Sequence, residues 1–89
     1  MLERNVTIAN KLGLHARAAS KLVKAANQFA STLRIQIGDK VVDGKSIMSV
    51  MLLAATQGTH VVLRTEGPDE QQAMSAVVAL IDDRFGEGG

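Results

Sequence analysis

The chain has 89 residues, 46% of them apolar and 21% charged, with a net charge of +1, which is the profile of one folded domain. It has no cysteine, which excludes disulfides, zinc ribbons and thiol catalysis, and its two histidines, His15 and His60, are too few for a structural metal site. The first five residues carry no secretion signal and the longest apolar run, 50–55, is too short to span a bilayer, so a soluble cytoplasmic protein with no membrane contact is expected.

Val6 and Ile8 flank a polar Thr7, an alternation that predicts a first strand over about 3–9. Asn10-Lys11-Leu12-Gly13 breaks it. From His15 onward Ala19, Leu22, Val23, Ala26, Phe29 and Ala30 recur at three- and four-residue spacing, one stripe of an amphipathic helix. Leu33, Ile35 and Ile37 alternate with Arg34 and Gln36 in a half-buried strand. Gly38-Asp39 turns the chain into a short return strand, 40–43. Gly44-Lys45-Ser46 opens a second helix, with Ser46 suited to cap it and Gly58 to close it. A fourth strand covers 60–65. Gly67-Pro68-Asp69-Glu70 starts a last helix that buries Ala73, Met74, Val77, Leu80, Ile81 and Phe85. The order βαββαβα fits an α/β (α+β) open-faced two-layer sandwich, a mainly antiparallel four-stranded sheet with three helices on one face. The whole chain, 1–89, reads as one domain, with the Gly-rich 86–89 as a flexible tail.

The charges are unevenly spread. Residues 1–30 carry Arg4, Lys11, Arg17, Lys21 and Lys24 against Glu3, whereas 66–89 carry six carboxylates against Arg84. A basic first third suits an acidic partner, although a solvated helix face explains it equally well. Gly44-Lys45-Ser46 resembles the end of a P-loop, but the required earlier glycine is replaced by Asp39, which excludes a nucleotide triphosphatase. Nucleic-acid binding is excluded as well. A base-stacking sheet needs aromatics on its strands, and Phe29 and Phe85 both fall on helical stripes.

His15 sits where loop becomes helix. The first amides of a helix lack intrahelical partners and the dipole there favours an anion, while a second positive charge on the ring is disfavoured. A neutral ring at that place has a lone pair with which to attack phosphorus. Gly13 allows a tight turn, and Arg17, in the first turn, brings a guanidinium fork to phosphate oxygens. Phosphoryl transfer needs little more than positioning and charge stabilisation. A lone histidine at a helix start is nonetheless more often a tolerated cap, so the residues alone leave the choice open.

Gly13-Leu14-His15-Ala16-Arg17-Ala18-Ala19 resembles the active-site signature of the HPr family, the histidine-containing phosphocarriers of bacterial phosphotransferase systems. The likeness continues in Lys45-Ser46-Ile47-Met48, Gln57-Gly58-Thr59, Glu66-Gly67 and Asp69-Glu70-Gln71, in order along nearly the whole chain. The resemblance implies a covalent carrier rather than an enzyme, without a cofactor. It implies that His15 accepts a phosphoryl group from enzyme I, charged by phosphoenolpyruvate, and passes it to an enzyme IIA protein. It implies that Arg17 attends the phosphohistidine, and that Ser46 is a regulatory phosphorylation site for a serine kinase/phosphorylase. The family usually has proline where this chain has Ala18, an alanine that adds one more amide to the helix mouth.

In the second helix Ile47, Met48, Val50, Met51, Leu52 and Leu53 occupy every side, although a helix on a sheet buries one stripe. Val50, Leu53 and Ala54 are expected in the core. Ile47, Met48 and Met51 are expected in an exposed docking patch bordered by Leu14, Ser20 and Lys24, with Lys21 a weaker member. His60 is assigned no role. A monomer is expected. Two alternatives stay open: a regulatory module of the same fold that binds partners without carrying phosphate, and the nitrogen-related rather than the sugar-transport branch.

Overall fold

The computed structural model describes residues 1–87. Its elements are β1 (Leu2–Thr7), α1 (Ala16–Ala26), β2 (Thr32–Ile37), β3 (Lys40–Asp43), α2 (Ile47–Leu52), β4 (His60–Glu66), α3 (Glu70–Asp82) and a 3-10 turn (Arg84–Gly86). The strands form one sheet in the order β1-β4-β2-β3, every pair antiparallel. This is the expected βαββαβα sandwich. No helix of the described residues is long and apolar enough to cross a membrane.

Period-two alternation decides the sheet's two faces. Leu33, Ile35, Val61 and Leu63 are buried and join Leu22, Val23, Met74, Val77 and Ile81 in one core cluster. The outward positions form a polar rank across neighbouring strands. Arg64 Nε donates to Glu3 at 2.7 Å and Arg64 Nη1 to Gln36 at 2.5 Å, while Arg34 lies 3.7 Å from Asp43. One face meets the helices and the other meets water, the usual division for an antiparallel sheet.

Both early helices stop sooner than their apolar patterns predict. At the end of α1 the Val23 carbonyl accepts from both Asn27 N and Asn27 Nδ2 at 2.9 Å, and the next amides, of Gln28 and Phe29, turn to the carbonyls three residues back, Ala25 O and Ala26 O, at 3.2 Å each. Phe29 is therefore only half-buried and Ala30 is exposed, rather than both extending the stripe. α2 ends at Leu52, not near Gly58, because Ala54 adopts a left-handed backbone with φ 51°. Ala54 is exposed and does not join the core.

The loop between α1 and β2 is fastened by Asp69. That residue precedes α3 but makes no side-chain bond to its own helix. Its carboxylate instead accepts from Ala30 N at 2.9 Å, Ser31 N at 2.8 Å and Ser31 Oγ at 2.5 Å. The Ser31 hydroxyl, followed by the backbone amides, holds the Asp69 carboxyl below its usual range. A folded-state value below the unfolded one contributes stability above the ordinary carboxylate range, and that stability is lost as pH falls through the folded value. Asp69→Ala is therefore expected to melt at a lower temperature than the parent at about pH 7, with the gap narrowing below about pH 3. Thermal unfolding followed by circular dichroism at both pH values checks this.

Candidate functional site

Beyond β1 the chain is laid against the segment that precedes β4. Ile8 N bonds Thr59 O at 3.0 Å, Gly58 N bonds Ile8 O at 2.8 Å, and Leu14 N bonds Ala55 O at 2.9 Å. Between these ties Asn10 is fully buried and closes a turn: its Nδ2 donates to Gly13 O at 2.7 Å and its carbonyl accepts from Gly13 N at 3.2 Å. Gly13 has φ 68°, and a Cβ there would overlap the Ala55 carbonyl oxygen. Only glycine satisfies both constraints.

That turn delivers His15 as the N-cap residue of α1, in an extended conformation with φ −72° and ψ 177°. The first intrahelical bond runs from Ala19 N to His15 O at 2.8 Å. The amides of Ala16, Arg17 and Ala18 make no hydrogen bond among the described residues, and the His15 side chain does not cap them. The imidazole lies at the surface with 29% of its side chain exposed. Arg17 is exposed and makes no ion pair among the described residues. Ala18 is buried against the core. His15, Arg17 and the free amides thus meet at one helix mouth, an anion-binding arrangement.

The docking residues divide. Met48 is 71% exposed, while Ile47 at 42% and Met51 at 41% are open enough to touch a partner. Lys24 is exposed and Ser20 half-buried. Leu14 is buried, contrary to expectation, because its amide bond to Ala55 turns it under the loop and into the core. Four large apolar residues outside the expected patch are open as well, Met1 at 71%, Leu52 at 70%, Leu12 at 69% and Val41 at 52%. Leu52 is freed by the early end of α2. Ser46 caps α2 as predicted, its Oγ accepting from Ser49 N at 3.3 Å. His60 bonds Thr7 across the β1–β4 pair through Nδ1 at 3.2 Å.

The chain's end departs from the expected flexible tail. Phe85 is fully buried as expected, but in the 3-10 turn rather than on a helical stripe, and Lys21 Nζ holds its carbonyl at 2.6 Å. That bond engages Lys21, the weaker docking candidate. Gly86 N and Glu87 N bond Asp83 O and Arg84 O, closing the turn. The Glu87 carboxylate then reaches the site, contacting His15 Nε2 and accepting from Asn10 Nδ2 at 3.0 Å. The Asn10 bond first and the His15 contact second hold the Glu87 carboxyl below its usual range, while partial burial pulls the other way. The rest of the proposed tail, residues 88–89, lies outside the described residues. Neither Asn10 nor Glu87 is singled out by periodicity. The only sequence signal is an asparagine opening a turn that ends in glycine.

Among the described residues no cluster of three metal-binding side chains exists. An imidazole at the surface beside free helix amides, with an arginine in the same first turn, is the arrangement expected of small proteins that carry a covalent phosphoryl group to larger partners. A family model described as the PTS HPr component phosphorylation site matches residues 2–83. A phosphocarrier protein HPr of Cupriavidus necator is 57% identical over 88 residues, covering 99% of each chain. A phosphocarrier protein NPr of Shewanella violacea is 42% identical over 86 residues, covering 97% of this chain and 94% of the other. The crystal structure of HPr-C-His from Thermoanaerobacter tengcongensis matches with a TM-score of 0.96 at 44% identity, each chain covered in full. The chain belongs to the HPr family and is a phosphocarrier of the phosphotransferase system.

Gly13→Ala places a Cβ in the left-handed region, which costs roughly 1–2 kcal/mol before the overlap with Ala55 is counted. Urea unfolding is expected to show a loss of at least that size.

Proposed function

We propose that His15 is the phosphoryl acceptor, that Arg17 and the amides of residues 16–18 stabilise the transferred group, and that enzyme I and an enzyme IIA protein are donor and acceptor. The observation that carries this reading is the surface imidazole at a helix mouth with three unpartnered amides. In the forward step a ring nitrogen lone pair of His15 attacks phosphorus. The donor's bond to phosphorus breaks and its electron pair stays with the donor. In a loose transition state the charge lies mainly on the three equatorial oxygens, where the amides and the Arg17 guanidinium can meet it. The second transfer is the same displacement with His15 as leaving group.

Docking is assigned to Ile47, Met48 and Met51, now with Leu52 and Leu12, flanked by Ser20 and Lys24. Exposed methionines adapt to more than one partner surface, as a carrier that meets donor and acceptor in turn requires. Arg17, Lys24 and Lys11 are exposed cations that suit an acidic partner. Ser46 is assigned a regulatory role beside its capping role. A phosphate there adds about −1.5 to −2 charges next to Ile47 and Met48, which opposes docking of an acidic surface. The higher identity to the relative named HPr than to the one named NPr supports the HPr-type branch. The protein is read as acting in the cytoplasm as a monomer.

Incubation with phosphoenolpyruvate and a bacterial enzyme I is expected to add one phosphoryl mass, labile in acid and stable in alkali, and His15→Ala is expected to add none. An equal gain on His15→Ala would defeat the assignment. For the docking face, Met48→Glu and Met51→Glu are each expected to weaken the complex with an enzyme IIA protein by about tenfold or more, or 1.4 kcal/mol. Their melting temperatures should stay close to the parent's. A large fall in melting temperature would show these methionines to be packing residues.

A further inference from the structure

The Glu87 carboxylate is fastened onto the site from several directions. Phe85 anchors the turn in the core, Lys21 holds the Phe85 carbonyl, and Glu87 N closes on Arg84 O. Asn10, itself fully buried, spends one Nδ2 hydrogen on the Gly13 carbonyl that shapes the His15 loop and the other on Glu87 Oε1. The second carboxylate oxygen meets His15 Nε2. The same asparagine thus sets both the loop bearing the ring and the carboxylate that touches it.

We propose that Glu87 is a positioning residue of the carrier, keeping the proton of His15 on Nε2 before, during and after phosphoryl transfer. An ionised carboxylate is an acceptor only, so the contact requires Nε2 to be the donor. The hydrogen bonds that hold the Glu87 carboxyl low keep it ionised at neutral pH. In a neutral imidazole with Nε2–H, the lone pair available to phosphorus is on Nδ1, at the ring edge that Glu87 does not occupy. When Nδ1 attacks, the Nδ1–P bond forms, the donor–P bond breaks with its electron pair on the donor, and Nε2 keeps its hydrogen. The ring thereby becomes cationic, and the carboxylate already bonded to Nε2–H stabilises that charge. On transfer onward the Nδ1–P bond breaks and the ring leaves as neutral imidazole. Without the Nε2 proton it would have to leave as an anion, a far poorer leaving group. Glu87 therefore favours the loading of the ring and preserves the Nε2 proton that its discharge requires.

This inference rests on His15 being the acceptor, and its test separates the two. Long-range proton–nitrogen spectra of the unphosphorylated protein in alkaline buffer, where imidazoles are neutral, report the His15 tautomer directly. The parent is expected to show Nε2–H alone, and Glu87→Leu a mixture of tautomers. Glu87→Gln has one acceptor oxygen for two donors, Asn10 Nδ2 and His15 Nε2, and is expected to leave a mixture as well. A chain ending at Gly86 should behave like Glu87→Leu, and the backbone amide spectrum checks that both remain folded. With protein phosphorylated by enzyme I, hydrolysis of the phosphohistidine slows as pH rises and Nε2 loses its proton; that fall is expected to begin about 0.5–1 pH unit lower in Glu87→Leu, the scale of one part-exposed charge-assisted hydrogen bond. An unchanged tautomer in Glu87→Leu overturns the proposal, and so does an unchanged pH dependence of hydrolysis. If the parent takes up no phosphoryl group, the carrier assignment of His15 fails, while the tautomer comparison still decides what Glu87 does to the ring.

Discussion

Gly13 stands in the left-handed region against the carbonyl of Ala55, and the place of the His15 ring depends on that contact. The turn it allows is closed by buried Asn10 and fixed by the Leu14–Ala55 bond, so α1 begins one residue after His15 and nowhere else. Had the helix started a turn earlier, the amides of residues 16–18 would be spent inside it. Their being free is a consequence of where the preceding strand and turn end, not of any property of the histidine. Buried core contacts hold the partner segment in place: Ala55 belongs to the same apolar cluster as Leu14, Ala18 and Leu22. The rigid core fixes the loop, and the loop fixes the ring.

Most of this architecture is legible in the chain because it rests on local patterns. Alternation places the strands within a residue or two, and the three-four spacing finds α1 and α3. Ser46 as a cap and His15 at a helix mouth are likewise readable, since capping involves residues three apart. Helix ends are harder, because they turn on competing local bonds. A switch to three-residue bonds at Gln28 and Phe29 ends α1, and a left-handed Ala54, where glycine would be the usual signal, cuts α2 short. What sequence patterns do not hold is the pairing of polar groups from distant parts of the chain. Asp69 with Ser31, Lys21 with Phe85, and Glu87 with Asn10 and His15 have no period, and their residues look like ordinary surface charge until the fold brings them together. Leu14, expected at the border of the docking patch, instead lies in the core cluster, where its hydropathy suits it.

These pairings also change the meaning of the charge asymmetry. Read along the chain, the basic first third and the acidic last third look like two separate fields. In the fold they are partly joined, by Glu87 at His15 and by the amino terminus at Glu70, 3.3 Å away. Of the cations left exposed and without ion pairs among the described residues, Arg17 and Lys24 lie on α1, the helix whose mouth carries His15. Screening limits such surface charges to a reach of about 10 Å at ordinary ionic strength. The position of Arg17, two residues from His15 in the chain, therefore matters more than the net charge of the molecule.

The exposed face of α2 follows from the same economy. A helix of six residues contributes little stability of its own, and it is held at its start by the Ser46 cap and at its end by Val50 and Leu53 in the core. Its remaining apolar side chains, Met48 and Leu52 above all, stay in water. Burying them would require another layer on a domain this small. Leaving them open costs solubility, which the charged face of the sheet offsets. The cost is tolerable for a protein whose apolar surface is covered only in passing. Under the docking role proposed for this face, a carrier must release each partner after one transfer, so a small adaptable patch suits it better than a large, rigid and tightly complementary one, which would hold the partner past the transfer.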